Sequence, residues 1–332
     1  MNSLKKITTN LTFALIVLTS ATQQAVASSH HDALHAMGYQ TLAVKKLPTG
    51  HDYLPVSFNN HDGHFILDTG ATSVLNDRLA ERFGWVAGSS HRFIDAAGIG
   101  GPIRIAYHRP DQVSIAGLPV ALPEVGVTDL NAVSQGLFQA TGVLIEGLVG
   151  QDLLLSQSAL LDVGQSQLYL SGSQAPTTHQ VPGDEVAQLL ADHGFQRLPM
   201  KRLVFRDSPL VFNAVEVVIN DQPGVLIMDS GAGRSMLHRE HLAHFNLPGE
   251  DEQNGFTSGA GGQLAISLRD LDNITTHGLS LQLPAINVGD LSVLMAYIKS
   301  QTGIQVHGVL GQDVLQAHQA IIHGVADQWF VR

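Results

Sequence analysis

The chain has 332 residues, which is enough to bury a substantial core and to form two domains. Charged residues make up 14% of the sequence and glycine occurs 33 times, a composition that excludes a disordered chain and favours many tight turns. The formal net charge is -11 with histidine neutral, and no run of lysine or arginine is present, so nucleic-acid binding is not expected. Cysteine is absent from the sequence, which excludes disulfides, thiolate chemistry and a lipid-modified N-terminal cysteine.

Residues 1–27 form a predicted secretory signal. Lys5 and Lys6 supply a positively charged start, and residues 11–18 (LTFALIVL) form a short apolar core. The small residues at 25–27 (AVA) offer a cleavage site. An uncleaved anchor is the less favoured alternative, because the apolar run is too short to span a bilayer comfortably. We therefore expect a periplasmic or secreted bacterial protein that has no stable membrane anchor after cleavage.

Three histidines follow the predicted cleavage site: His30, His31 and His35. A free N-terminal amine with a histidine in third place can wrap Cu(II) or Ni(II) in a square plane, so a metal site at His30 is one alternative. A solvated polar tail is the favoured interpretation of the segment, and we expect neither a metal nor a cofactor. A removable pro-segment over residues 28 to about 45 is a further alternative for the same region.

Two similar segments stand out in the chain, residues 65–71 (FILDTGA) and 226–232 (LIMDSGA), and in each an apolar run ends in an acid. The acids, Asp68 and Asp229, lie 161 positions apart, and later glycines and a Gly-Gln-Asp motif recur with the same offset. Upstream the offset is 156, so the second copy has five additional residues within about 203–215. The chain is therefore an internal duplication, which decides its architecture.

The duplication predicts four parts of the chain. They are a signal peptide (1–27), an N-terminal lobe (28–170), a linker (171–189) and a C-terminal lobe (190–332). The linker begins with a stretch rich in serine, threonine, proline and glycine. Because one chain supplies both copies, a monomer suffices for a site built from the two.

Within each copy the sequence pattern is that of a β protein. Residues 56–58 and 215–219 are β-rich and lead through Asn-Asn or Asn-Asp turns into the strand that carries the acid, which predicts two hairpins. Residues 168–170 and 329–331 are predicted to close the copies as further strands. The predicted helices are short and comprise residues 76–83, residues 238–245 and a turn after each Gly-Gln-Asp motif. We expect an all-β fold with two pseudo-twofold-related, β-barrel-like lobes and short helices.

The residue types of the two acid segments suit the activation of water. Two carboxylates held a few ångströms apart do not both ionise easily, so they share a proton. The ionised acid can accept a proton from water while the protonated acid polarises a carbonyl. Gly70 and Gly231 permit a close approach of the two loops, and the hydroxyls of Thr69 and Ser230 can tie the loops together. A lone Asp-Thr-Gly is usually a plain turn, but two matched copies favour a catalytic pair.

With these motifs the chain resembles the aspartic proteases, specifically the retroviral-type (retropepsin-like) branch, as two fused copies in one chain. The resemblance covers nearly all of both copies. It rests on Asp-Thr/Ser-Gly-Ala, on a glycine-rich segment about thirty residues later, and on an apolar-apolar-Gly-Gln-Asp signature near the end of each copy. The resemblance implies a bilobal acid-protease fold with Asp68 and Asp229 as the catalytic pair.

The resemblance also implies roles for residues around the pair. Six residues would support the acid loops: Thr69, Gly70, Ala71, Ser230, Gly231 and Ala232. Six others would form two flaps that close over the substrate: Gly98, Ile99, Gly100, Gly259, Ala260 and Gly261. Both candidate flaps lack the tyrosine of the single pepsin-type flap, which favours the retroviral branch.

Two departures from the family pattern have consequences. Gln151 and Gln312 stand where retroviral enzymes usually carry arginine, so the ion-pair network that braces their interface is in question. Ala71 and Ala232 have no hydroxyl that can donate a hydrogen bond to the outer carboxylate oxygens. We therefore expect the pair to titrate at higher pH than the pair of pepsin, with activity in the mildly acidic to neutral range.

The sequence predicts an aspartic endopeptidase that binds a peptide or protein substrate as an extended strand. A non-catalytic module that binds an extended peptide in the same cleft is the main alternative, although a pure binder has no physical need for two acids. A metal-dependent hydrolase that uses histidine is a weaker alternative, because no HExxH-type pairing is present.

Overall fold

The computed structural model describes residues 30–85, 90, 92–171, 183–206, 210–247, 253 and 255–332. The described chain forms two lobes, each with a ten-stranded sheet, and one six-stranded sheet to which both lobes contribute. The expected all-β, bilobal fold is confirmed. The predicted signal peptide and most of the predicted linker lie outside the described residues, and the domain boundaries stay a prediction.

The strands follow the same order in the two halves of the chain. The first half contains β1 (Tyr39–Ala43), β2 (Lys45–Lys46), β3 (Asp52–Phe58), β4 (His61–Leu67), β5 (Val74–Asn76), β6 (Arg92–Gly98), β7 (Gly101–His108), β8 (Val113–Ile115), β9 (Leu118–Pro119), β10 (Val125–Thr128), β11 (Gly147–Val149), β12 (Leu160–Asp162) and β13 (Gln167–Ser171). The second half contains β14 (Gln196–Pro199), β15 (Lys201–Val204), β16 (Val211–Ile219), β17 (Gln222–Met228), β18 (Met236–His238), β19 (Gly255–Gly259), β20 (Gly262–Asp270), β21 (Ile274–Thr276), β22 (Leu279–Ser280), β23 (Ala285–Gly289), β24 (Gly308–Leu310), β25 (Ile321–His323) and β26 (Gln328–Val331).

The helices are short and lie between the strands. They are α1 (residues 30–36), α2 (Asp77–Ala80), α3 (Asn131–Thr141), α4 (Gln151–Ser156), α5 (Gly183–Asp192), α6 (Ser292–Thr302) and α7 (Gln312–Ala317). Among the described residues, single 3-10 turns accompany them at Glu81–Phe83, Arg239–His241 and Gly324–Ala326. No helix in the described part of the chain is both long and apolar enough to cross a lipid bilayer.

The two ten-stranded sheets have identical topology. The N-terminal sheet runs β6-β7-β10-β5-β11-β4-β3-β8-β9 with β2 on β3, and the C-terminal sheet runs β19-β20-β23-β18-β24-β17-β16-β21-β22 with β15 on β16. The predicted hairpins are β3–β4 and β16–β17, and both are confirmed. Their turn residues, Asn59-Asn60 and Asn220-Asp221, have positive φ angles, which asparagine and aspartate tolerate better than most residues.

The six-stranded sheet joins the lobes in the order β1-β13-β12-β25-β26-β14. The junction is the pairing of β12 with β25, in which Leu161 lies opposite Ile322. Because β1 pairs along its whole length with β13, residues 39–43 belong to the folded lobe. The start of the described chain is therefore part of the fold, and its removal as a pro-segment stays an alternative.

His30 corrects the interpretation of the N-terminal region. Its side chain is 1% exposed, and its Nε2 lies 3.0 Å from Oδ2 of the buried Asp162. Leu34 on the same helix is fully buried against the six-stranded sheet. The solvated tail predicted for this segment is therefore wrong at His30, and a buried ring paired with a carboxylate is also unsuited to wrapping Cu(II) or Ni(II).

The helix predictions were right in part. Residues 76–83 contain α2 followed by a 3-10 turn, and the helical turns after the Gly-Gln-Asp motifs are α4 and α7. The helix predicted over 238–245 is wrong, because only Arg239–His241 form a 3-10 turn and irregular turns follow; three histidines give this segment low helix propensity. Helices α3 and α6 were not predicted, and α5 occupies the last part of the predicted linker because Val186, Ala187 and Leu190 pack on the six-stranded sheet.

Candidate active site

Each of the two acids stands at the end of a buried strand. Asp68 follows β4 and Asp229 follows β17, and these strands pair in parallel with β11 and β24. The N–H of Asp68 donates to the carbonyl of Val149 at 2.9 Å, and the N–H of Asp229 donates to that of Leu310 at 3.0 Å. The apolar-apolar-Gly segments thus support the acid loops from the neighbouring strand.

Hydrogen bonds between the lobes fix the two loops to each other. The hydroxyl of Thr69 donates to the carbonyl of Met228, and the hydroxyl of Ser230 donates to that of Leu67, both at 2.8 Å. The two hydroxyls also accept, since the N–H of Thr69 donates to Ser230 Oγ and the N–H of Ser230 donates to Thr69 Oγ1, both at 3.0 Å. All four groups are buried, so the loops hold one relative position.

This arrangement brings the carboxyls of Asp68 and Asp229 within hydrogen-bonding reach of each other. A Cβ atom at Gly70 would lie 2.6 Å from Cγ of Asp229, and one at Gly231 would collide with the carboxyl of Asp68. Each glycine therefore has to be glycine because the acid of the opposite lobe lies against it.

The two carboxyls are not equivalent. Oδ1 of Asp68 accepts one backbone hydrogen bond, from Gly70 at 2.8 Å, whereas Oδ1 of Asp229 accepts two, from Gly231 at 2.9 Å and Ala232 at 3.0 Å. Burial raises the pKa of both acids, and the neighbouring charge of Asp229 raises the pKa of Asp68 further. Since backbone donors stabilise an anion, this asymmetry favours the shared proton on Asp68 and the negative charge on Asp229.

A cavity of about 710 Å³ lies above the acids, between the lobes. Its roof is made by two hairpins, β6–β7 and β19–β20, whose tips contain Ile99-Gly100 and Ala260-Gly261. The N–H of Gly100 donates to the carbonyl of Ala260 at 3.0 Å, and a Cβ at Gly98 would collide with that same carbonyl. All six predicted flap residues thus lie at or beside the tips, and the tips touch each other above the cavity.

Two helices that the sequence reasoning missed complete the walls. Helix α3 contributes Val133, Leu137 and Ala140 to the cavity, and α6 contributes Leu294 and Tyr297. Each helix packs on the flap of the opposite lobe, α3 on β19 and α6 on β6. The spacing of three and four residues between these side chains is a helical signal that could have identified them.

The Gly-Gln-Asp motifs also have structural roles. Nε2 of Gln151 donates to Oδ1 of Asn213 across the lobes, and Nε2 of Gln312 donates to the carbonyl of Ser230 at 2.9 Å. Gln312 in addition hydrogen-bonds Asp52 of the opposite lobe. Neutral amides therefore brace the interface at these two positions.

The cavity walls are largely apolar. Apart from the two acids, its ionisable lining residues are His51, Arg234 and Tyr297. In the described ranges, no three histidine, aspartate or glutamate side chains are grouped so that they could hold a metal ion.

Comparison with known proteins gave matches to a family and to solved structures. A family model described as aspartyl protease matches the sequence twice, over residues 54–153 and 215–314. The chain is similar to a retropepsin-like aspartic protease from Rickettsia conorii, with 20% identity over 40% of this chain and 90% of that chain and a TM-score of 0.29. It is also similar to EIAV protease complexed with the inhibitor HBY-793, with 26% identity over 31% of this chain and 85% of that chain and a TM-score of 0.24. No curated protein matches the sequence significantly.

Proposed function

Because the chain belongs to the aspartyl protease family, of which it contains two fused copies, we propose that it is an aspartic endopeptidase. In this proposal a water molecule activated between Asp68 and Asp229 hydrolyses the peptide bond. The observation that carries it is the meeting of two carboxyls, one from each lobe, at the floor of an enclosed cleft. The family supports a function of the protease type, and the geometry supports the finer assignment.

The asymmetry of the pair assigns a role to each acid. The carboxylate of Asp229 accepts a proton from water, and the water oxygen attacks the scissile carbonyl carbon while Asp68 donates its proton to the carbonyl oxygen. The resulting tetrahedral diol collapses when Asp229 returns a proton to the amide nitrogen and Asp68 takes a proton from a hydroxyl. The C–N bond then breaks, and the pair regains its starting state with one proton.

The shape of the cleft supports an extended peptide as the substrate. The flap tips lie above the acids, and a strand placed between flaps and floor can form backbone hydrogen bonds with both. The apolar walls then supply pockets for alternate side chains. Both acids come from one chain, so a monomer suffices for this activity. The predicted signal peptide supports a periplasmic or secreted location.

The test is cleavage of a broad peptide library by the mature chain and by Asp68→Asn and Asp229→Asn. Asparagine keeps the shape of the side chain but removes its acid–base chemistry, so each variant should lose activity by about 100-fold to 10,000-fold. Asp184→Asn is the matched control, because this carboxyl is 99% exposed and far from the cleft.

Unchanged cleavage in both cleft variants would remove the pair from the mechanism. If the unmodified chain binds peptides and cuts none, the binding module is the better description.

A further inference from the structure

The loops that follow the two acids are anchored in the same way. The N–H and hydroxyl of Ser73 both donate to Oδ1 of Asp152 at 2.8 Å. In the other lobe the N–H of Ser235 donates to both carboxylate oxygens of Asp313 at 3.0 Å, and its hydroxyl donates at 2.7 Å. The two serines are therefore structural equivalents.

Between alanine and this serine the loops differ in length. One residue, Thr72, separates Ala71 from its serine, whereas two residues, Gly233 and Arg234, separate Ala232 from its own. Thr72 is buried, and Arg234 is exposed and lines the cleft. The longer loop thus adds a guanidinium to one side of the cavity.

The backbone around Arg234 is held on both sides. A Cβ at Gly233 would lie 3.0 Å from Cε1 of His51 and 3.1 Å from the carbonyl oxygen of Thr49, so the glycine packs directly under a loop of the opposite lobe. On the other side Ser235 is anchored to its aspartate. The arginine side chain consequently starts from a fixed point at the cleft.

The electrostatic surroundings leave the charge of Arg234 available. It forms no ion pair within the described ranges, and it is the one lysine or arginine among the described residues that line the cavity. Burial lowers the pKa of His51, the other basic side chain in the cavity lining, so that ring is neutral at neutral pH. An unpaired guanidinium in a largely apolar cleft favours a carboxylate as its partner.

We propose that Arg234 is a specificity-determining residue that binds a carboxylate of the peptide substrate, on one side of the scissile bond only. The proposal rests on the proposed endopeptidase function. The carboxylate comes either from an aspartate or glutamate side chain or from the C-terminus of a short peptide. In both cases the guanidinium improves substrate binding and leaves the bond-breaking chemistry to the two acids.

The experiment uses pairs of apolar peptides that differ by glutamate or glutamine at one position at a time, each with a free and an amidated C-terminus. We expect glutamate to raise kcat/KM about tenfold at one position, mainly through KM, for the unmodified chain. Arg234→Gln should abolish this preference, so that kcat/KM becomes equal for the glutamate and glutamine peptides, and Arg234→Glu should invert it toward lysine. Arg78→Gln, which removes an exposed arginine outside the cavity, is the control.

The outcomes separate this proposal from the proposed function. A preference that follows the free C-terminus and not the side chain identifies the terminal carboxylate as the ligand. Cleavage of neutral peptides without any preference for a carboxylate overturns the role of Arg234 and leaves the endopeptidase intact. The affinity of the same peptides for the Asp229→Asn variant is measured in parallel. If no peptide is cut, equal affinity for the glutamate and glutamine peptides overturns the role of Arg234. Tighter binding of the glutamate peptide that disappears when Arg234→Gln is added to this variant supports the role.

Discussion

The two lobes share one topology, but the ion pair at equivalent positions of the two lobes is made by different residues. In the N-terminal lobe Nζ of Lys46 lies 2.8 Å from Oδ1 of Asp52, a fully buried acid. In the C-terminal lobe Asn213 occupies the position equivalent to Asp52, and Arg202 pairs at 2.8 Å with Asp327, which lies in the turn before β26. Each lobe therefore keeps one cation and one anion in this brace, but the carboxylate lies on a strand in one lobe and in a turn in the other.

A second difference concerns histidine. In the N-terminal lobe Oδ1 of Asn76 accepts the N–H of Leu130, and in the C-terminal lobe Nδ1 of His238 accepts the N–H of Leu291 at 3.0 Å. Four histidine rings stack or meet edge to edge around this point: His238, His241, His244 and His307. Burial, together with the neighbouring rings, lowers the pKa of His241 to about 4. The C-terminal lobe therefore contains a cluster of four imidazole rings that has no counterpart at Asn76.

The largest expected effect concerns His323, which occupies the position equivalent to Asp162. Both its ring nitrogens are buried without a hydrogen-bond partner in the described structure, and burial lowers its pKa to about 4. The unfolded chain binds a proton near pH 6.5, so this group stabilises the fold above that pH and the contribution is lost as the pH falls toward 4. Between pH 7 and pH 4, His323 should lower the free energy of unfolding by roughly 3 kcal/mol. In His323→Leu this part of the decrease should be absent.

Denaturant unfolding at several pH values measures this effect, with the exposed His35→Gln as a control. An equally steep pH dependence in His323→Leu and the unmodified chain would contradict it.

The next largest loss of stability is expected from removing the hydroxyls that link the two acid loops, and it shows whether the two lobes contribute equally to that link. Thr69→Val and Ser230→Ala each leave one buried carbonyl and one buried N–H without a partner. We expect each to lower the free energy of unfolding by about 2 kcal/mol, and the double variant to lose less than the sum because the bonds form one network. Thr302→Val removes a hydroxyl that donates to the carbonyl of Ile298 and accepts from the N–H of Ile304 at the half-buried end of α6, and it should cost under about 1 kcal/mol. Clearly unequal losses in the two single variants would show that the link is asymmetric.

A smaller effect is expected at the amide braces. Gln312 bonds Ser230, Gln316 and Asp52, whereas Gln151 bonds Asn213 alone among the described residues. Gln151→Leu should therefore cost about 1 kcal/mol and Gln312→Leu about twice that, as thermal or denaturant unfolding would measure. The reverse order would contradict the assignment of these contacts.

The smallest effects concern the two limbs of the pH–rate profile. The unmodified chain should be most active above about pH 3, because burial raises the pKa of both acids. Ala71→Ser adds a donor near Asp68, which holds the shared proton and accepts one backbone bond, and should shift the alkaline limb down by less than about one pH unit. Ala232→Ser adds a donor near Asp229, whose protonation sets the acid limb, and should shift that limb down less, because Asp229 already accepts two such bonds. A larger shift in Ala232→Ser would contradict the assigned asymmetry.

Local sequence predicted the features that depend on local chemistry. The Asn-Asn and Asn-Asp turns, the strands before Asp68 and Asp229, and the need for glycine beside each acid all followed from residue type and repetition. The contacts of His30 with Asp162 and of Gln151 with Asn213 join residues more than 60 positions apart, so no local sequence pattern could predict them. Helix α3 was missed because Gly136 and several β-branched or polar residues lower its propensity, and its formation depends on packing against the opposite flap.

The fusion of both halves into one chain has a consequence for how a peptide would lie in the cleft. A twofold-symmetric groove offers the same groups to a polypeptide whichever way it runs, so both orientations have equal energy. Here Phe212 stands at the position equivalent to His51, and the longer loop carries Arg234 on one side only. In two identical subunits each of these changes would appear twice. A single polypeptide can hold them once, and the groove thereby distinguishes the amino end of a bound strand from its carboxyl end.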